Sequence, residues 1–586
     1  MNRSSNRVMF LATVLLFLAP HRHSLAGSAT WSTSPSSGDW NTAANWVPAV
    51  VPNGTSDTAT FGSSAVTDVS IPSGTIIEVD KVSFSSGAPP YTISTIVSNL
   101  FLSGLGVVND SGLVQSFVAP TTDNNYGAIF FSNSANAGEM TSFSIVGGFV
   151  TFNDTSSAGS ASFDVSNSAQ FQADLLFSDF TTAANATVTA NGGAIVGVFD
   201  NATAANAAFT INTGAALFVG ENATADHAII TCVGGNQYFG SSIQIQQFGS
   251  AGQAYFTAIG ASSSDEFGSY IEFDDQATAA NASFVINGGM AAGLAGAELI
   301  FDNTTTAAAA IITANGGIGG SEGGAVIFDG NATGGTASIS LFGNGELDIS
   351  STHLSGVTIG SLTGDGLVFL GTKTLTIGSN NQSTTFSGVI QESGSLIKIG
   401  TGTLVLSGSN TYTGTTTVNG GVLNAGNKSG SATGTGAVQV NTGTLGGKGI
   451  IAGPTTLGSG SGAGAFLAPA VGSNKQATLT LQSALSLNSD ATYTYTFKAK
   501  KNQSRTDLVF ANGVTINGAT ITLAGQTQGS LKRGLTLTLI SNTSANPISG
   551  TFSNLPDGAI VTVNGNNLQA SYSGGDGNDL TLTVVP

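Results

Sequence analysis

Residues 199–211 read FDNATAANAAFTI, and residues 273–286 read FDDQATAANASFVI. Each opens on Phe, carries an acid or Asn within two positions, crosses a Thr/Ala-rich turn and closes on an apolar pair. The same plan starts at Phe131, Phe152, Phe177, Phe248, Phe301 and Phe328, and at Gly220, where the Phe is lost. Nine copies start 21 to 28 residues apart. A loosely fixed period of this length marks a stacked architecture, and one copy alone cannot bury its apolar side chains. Phe209 with Ile211, and Phe284 with Ile286, alternate at the two-residue period of a strand. Propeller blades need roughly 40 to 50 residues per repeat, and rows of sandwiches show strands of regular length. The spacing therefore predicts an all-β fold, an irregular parallel β-helix with β caps at both ends.

In that fold Phe131, Phe152, Phe177, Phe199, Phe248, Phe273, Phe301 and Phe328 are expected to stack as an internal ladder. Asn133, Asp154, Asp179, Asn201, Asn222, Ser250, Asp275 and Asn303 are expected to form an external turn ladder. Such residues tolerate the left-handed turn conformation and bond along a stack. Roughly 20 to 25 coils at about 4.8 Å each would give a rod on the order of 100 Å long.

Composition agrees. Of 586 residues 80 are Gly and only 8% are charged, against about 25% in an average domain. Hydrophobic content is 40%, enough to bury a core. From Val82 to Thr372, 291 residues, there is no Lys or Arg, while 22 Asp and Glu are present. That excludes nucleic acid and anionic membrane surfaces as partners of this region, because phosphate binding needs cations. The acidity keeps a long β surface soluble and self-repelling.

The N-terminus carries Arg3 and Arg7, then the apolar run VMFLATVLLFLAP, then HRHSLA. This pattern predicts a secretory signal over 1–26, cut after Ala26, and no membrane span in the mature chain, since no other apolar run approaches spanning length. The remaining divisions are a Trp-containing β cap at 27–90, repeat β-helix at 91–380, a distinct coil region at 381–426 and a β-rich tail at 427–586.

Residues 394–426, GSLIKIGTGTLVLSGSNTYTGTTTVNGGVLNAG, show strongly marked corners at Gly400, Gly402, Gly408, Gly420 and Gly421. Ile397 and Ile399 are expected to share the inner face with Lys398 turned out, and Leu404 to share a face with Leu406. This stretch resembles the autotransporter-associated β-strand repeat, also called the passenger-associated transport repeat. The tail from GTLGGKGIIAGPTTLGSGS, residues 443–461, and the opening WSTSPSSGDWNTAANWVPAVVPNGTSDTATF, residues 31–61, resemble the ends of bacterial exoproteins carrying that repeat. The resemblance implies an exported β-helical protein, surface-displayed or released, commonly of unassigned activity. Residues 427–586 do not show the alternating, interface-girdled strands of an outer-membrane barrel.

Candidate chemistry is sparse. Lyases acting on polyuronates need a Lys or Arg that most of the helix lacks. A glycosidase needs two carboxylates about 5 to 10 Å apart. Asp274 with Asp275, and Asp265 with Glu266, are sequence neighbours that point to opposite faces of a strand. Asp179 and Asp200 could meet across coils, but on the solvated turn ladder. Gly574–Leu582, GGDGNDLTL, matches a calcium-binding nonapeptide at Gly574, Gly575, Gly577 and Asp579. It is a single copy with Thr581 in the apolar position, so a hairpin is expected. Cys232, the only cysteine, reads as a buried hydrophobe. His227 and Asp226 beside it do not make a metal site. Trp31, Trp40 and Trp46 either cover the open end of the helix or form a sugar-stacking platform. The expectation is a structural or adhesive exoprotein without catalytic activity, metal or cofactor, whose partners are extracellular polysaccharide or cell-surface components. A carbohydrate-binding protein is the alternative, with a polysaccharide-degrading enzyme behind it.

Overall fold

The structure, a computed structural model, describes residues 27–586 apart from 123–124, 237–239, 265, 463 and 472–474. The expected signal segment and its cleavage point lie outside the described residues. The chain is a parallel β-solenoid of about 18 coils, fewer than the 20 to 25 expected. At about 4.8 Å per coil the shaft is roughly 85 Å long. Coils are fewer because many carry loops: Phe273 pairs with Phe301, and Phe301 with Phe328, at spacings near the upper end of the range. Among the described residues no helix is long and apolar enough to cross a membrane.

Each coil of the repeat region has two strands and one single-residue bridge. Strands such as Ala128–Phe131, Phe149–Phe152 and Asp174–Phe177 stack in register as one wall. Strands such as Thr141–Val146, Ser162–Ser166 and Thr187–Asn191 stack as a second. Between them run isolated parallel bridges from Asn136 through Ser157, Thr182, Thr203, Thr224, Ser250, Thr278 and Thr306 to Thr333. The alanines of the repeat, among them Ala183, Ala186, Ala204 and Ala207, are buried beneath this corner. Small side chains fill this tight corner, Ala in most coils and Ser156, Thr181 or Thr305 in others, which is why the turns are rich in Ala and Thr. Beyond residue 346 the bridge widens into a full strand, and Thr374–Ile377, Ser395–Lys398 and Thr416–Ala425 continue the stack. The coils cross positions 90, 380 and 426 without a break in pairing. A seven-stranded sheet, open at both edges, closes the C-terminal end; the described residues of 427–586 form no barrel.

The internal ladder exists, with two members misassigned. Phe131, Phe152 and Phe177 stack at 4.5 and 4.8 Å between ring centroids; Phe273, Phe301 and Phe328 stack at 4.9 and 5.0 Å. Between these groups the inward positions are Val198, Val219 and Ile245. Phe199 lies outside the barrel of coils, its ring against Gly197, where a Cβ would collide with it. Phe248 is exposed. The second wall compensates: Phe209 and Phe256 point inward in the coils of Val198 and Ile245.

The turn ladder shifts with it. Asn133, Asp154, Asp179, Asp275 and Asn303 adopt the left-handed conformation as expected, but Asp200, Glu221 and Gln247 take the places assigned to Asn201, Asn222 and Ser250. The Thr of each corner keeps a constant spacing from Phe177, Val198 and Phe273, and that spacing, not the most visible aromatic, carries the register.

Lys398 is the sharpest correction. It points inward, 1% exposed, in a column with Ile377 below and Val418 above, while Ile397 and Ile399 face out. SLIKIG offers apolar residues at both parities, so alternation alone does not choose. The register through Leu396, which is buried beside Leu375, chooses. The stem packs among aliphatic neighbours and the amine reaches the corner. Nζ donates to the carbonyl oxygens of Ile399 (2.5 Å), Gly400 (3.3 Å) and Gly420 (3.4 Å). Gly400 makes that corner with φ +69°, a region that favours glycine.

Candidate functional site

Trp31, Trp40 and Trp46 are each at most 1% exposed. Trp46 meets both others edge-on at 5.0 Å, and Phe61 sits 5.5 Å from Trp46. Each indole N–H is satisfied by a backbone carbonyl: Trp31 to Val66, Trp40 to Pro52, Trp46 to Trp40. Rings buried edge-on against one another present no open face to a sugar. The three residues are a cap, and the platform alternative falls.

The corner carboxylates hold the stack together. Asp154, Asp179, Asp200 and Glu221 each accept a hydrogen bond from the backbone N–H of the corner residue one coil earlier: Asn133 at 2.8 Å, Asp154 at 2.8 Å, Asp179 at 2.9 Å and Asp200 at 3.0 Å. Gln247 continues the series on Glu221 at 2.8 Å. The hydrogen-bonded contact with Asp200 lifts the Glu221 pKa above its ordinary value, with burial and the like charge adding to it. Asp179 and Asp200 are thus linked, but through a backbone donor on an exposed edge. Asp274 accepts from the N–H of Asp275 at 2.7 Å and from the side-chain amide of Asn303 one coil on, so it too is used in holding the stack. Asp265 and the Glu266 side chain are outside what the structure describes.

The outer faces of the two walls differ. The second wall carries a polar column in register, five hydroxyls and one carboxylate: Ser144, Asp164, Thr189, Thr210, Thr231 and Thr257. Beside it lies a depression of about 340 Å³ lined by Ser142, Ser162, Asp164, Thr187 and Thr189. Amide ladders border it, Asn212 donating to Asn191 at 2.8 Å and Asn191 to Asp164 at 2.9 Å. The first wall is apolar toward its N-terminal half, with Phe101 stacked on Phe130 at 4.4 Å. Within it Asp174 lies between Phe149 and Ile195. Its Oδ1 is buried without a hydrogen-bond partner, and burial pushes its pKa up to about 6.

Sequence reading missed one cluster. Glu298 and Glu346 sit on the first wall in one column, separated by Ala325. With Glu322 and Asn344 they line a depression of about 290 Å³. Burial raises the Glu346 pKa, helped by Asp348, Glu322 and Glu298. The only signal in the sequence is an acid at matching strand positions two coils apart, readable once the register is known.

Gly574–Leu582 is a hairpin between strands Asn566–Gly574 and Asp579–Val585, with Asp579 accepting from the Asn542 N–H at 2.9 Å. Among the described residues no three His, Cys, Asp or Glu side chains are placed to hold a metal. Cys232 points into the core, while His227 pairs with Asp226 at 2.7 Å on an exposed corner, so the three do not converge. Burial pushes the Cys232 thiol up to about 12. Native protein is therefore expected to resist iodoacetamide at pH 8 and to take up one equivalent on denaturation; labelling of the native thiol would contradict the inward placement.

Residues 396–425 match the family Passenger-associated-transport-repeat. Those residues span one coil and the return into the next, including Lys398, Leu404, Leu406 and the fully buried Tyr412. Among solved structures, the crystal structure of the Haemophilus influenzae Hap adhesin is similar at 12% identity and a TM-score of 0.35, over 90% of this chain and 64% of that one. The chain thus spans less than two thirds of that adhesin's length. No curated protein matches the chain.

Proposed function

We propose that the chain is an exported adhesive or structural rod of the cell exterior, secreted or displayed on the outer surface, whose shaft binds without catalysing a reaction. The observation that carries this reading is the passenger-associated transport repeat standing in register inside an unbroken solenoid. The extended walls support it, since in-register hydroxyls and amides suit long polymers better than a small substrate. The partners in this reading are extracellular polysaccharide or cell-surface components, and the hydroxyl wall around Asp164 is their contact face rather than the tryptophans.

A second reading rests on the Glu298–Glu346 column. Two coils place their backbones about 10 Å apart, near the upper end of the separation used by inverting glycosidases, and one of the pair has a raised pKa. One experiment separates the two. Purified residues 27–586 are mixed with a panel of polysaccharides, and co-sedimentation and new reducing ends are measured together. Binding without new ends is expected, unchanged in Glu346→Gln. New ends that vanish in Glu346→Gln would replace the adhesive reading with the hydrolase.

A further inference from the structure

Six of the chain's 15 Lys and Arg residues are Lys498, Lys500, Lys501, Arg505, Lys532 and Arg533. Between 491 and 556 the only Asp or Glu is Asp507, and it is buried. The fold gathers the six at one tip. Strand Ala491–Lys500 turns back into Gln503–Thr506, which sets Lys498 opposite Arg505. Strand Thr520–Gln528 runs beside it, with Gln528 next to Lys500. The following loop closes on the hairpin: the Lys532 N–H donates to the Lys501 carbonyl at 2.8 Å. Buried Leu531, whose N–H donates to Asn566 Oδ1 at 2.8 Å, pins that loop. All six cationic residues are exposed. The tip is therefore a fixed basic array on a chain of net charge −18.

We propose that this tip docks on an anionic lipid headgroup surface and holds the rod by one end. A cluster of this many cationic side chains is of the size that anionic lipid surfaces bind. The two shaft depressions are lined by residues between 142 and 367, far along the chain from this tip, and the neighbouring rings Tyr495 and Phe497 are buried, so no sugar-stacking platform is built there. Another copy of the chain is a poorer partner. Its net charge repels, and its corner carboxylates already accept backbone N–H groups. Charges interact across only about 8 Å at physiological ionic strength. The tip would feel the surface while the acidic shaft, standing off it, would not.

The test uses residues 27–586 with vesicles of phosphatidylglycerol and phosphatidylcholine, vesicles of phosphatidylcholine alone, and soluble heparin. Sedimentation with the anionic vesicles only is expected, reversed on raising salt from about 0.1 M to about 1 M. The variant Lys500→Ala/Lys501→Ala/Arg505→Ala is expected to bind roughly 100-fold more weakly, at about fivefold per charge. Lys448→Ala, elsewhere on the solenoid, should bind as wild type, and all three proteins should melt together. Absence of binding to anionic vesicles, or equal binding by the triple variant, overturns the proposal. So does heparin held more tightly than vesicles, which would make the partner a polysaccharide. Salt-sensitive dimers that the triple variant abolishes and that exclude vesicle binding would make it a second copy.

Discussion

Trp40→Ala is expected to destabilise the N-terminal end of the solenoid by about 3 to 5 kcal/mol, the usual cost of truncating a large buried aromatic. Trp40 is fully buried, its ring contacts Trp46 and Phe61, and its N–H is bonded to the Pro52 carbonyl. The substitution removes the ring contacts and leaves that carbonyl without its donor. It also opens the end of a sheet whose strands template further pairing. The variant should therefore show early loss of structure at the N-terminal coils in hydrogen exchange, and increased aggregation on heating. Polysaccharide binding by the coils that remain folded should be unchanged. Loss of glycan binding in a variant that melts like wild type would mean that the indoles do face a ligand, contrary to their burial.

Lys398 leads to the second large effect. Burial lowers its pKa to about 8 from an ordinary 10.5, because leaving water penalises the charged amine. Between those values the unfolded chain binds more protons than the folded one, so stability rises with pH across that window. Below pH 8 the amine is charged in both states, and the cost of burying the charge is present in full. Relative to Lys398→Met, which fills a similar volume without a charge, wild type should gain on the order of 3 kcal/mol between pH 7.5 and 10.5. Tyr412 and Tyr493 are held above their ordinary values by burial and pull stability down above pH 10 in both proteins. The quantity to measure is thus the difference between the two denaturation midpoints at each pH. A constant difference would mean that the amine reaches water and titrates normally. At neutral pH the Met variant is not simply better, because it leaves the Ile399, Gly400 and Gly420 carbonyls without the Nζ donor.

Much of the fold was legible because a solenoid makes its long-range contacts between copies of one motif. Alternation in FTI and FVI, Ala-rich corners and acids beside them repeat at the coil period, so a local pattern also describes the tertiary neighbour. The corner carboxylates are the clearest case: Asp154 and Asp179 lie at matching places in the sequence and meet across the coils. The candidate sites were far less legible. Glu298 and Glu346 share a column only after loops of unequal length are placed, and the six cations of the tip belong to two separate segments joined by the Lys501–Lys532 bond.

From the sequence alone, the all-β stacked architecture, the position of the transport-repeat coil and the acidity of the shaft follow, since composition and period are properties of the chain. Tertiary structure decided which parity faces inward at Phe199 and Lys398, how many coils the length makes, whether the tryptophans cap or bind, and where charges gather. A strand with apolar residues at both parities has two nearly equivalent ways to alternate. Only the neighbouring coil, by offering a buried column for one of them, selects between the two.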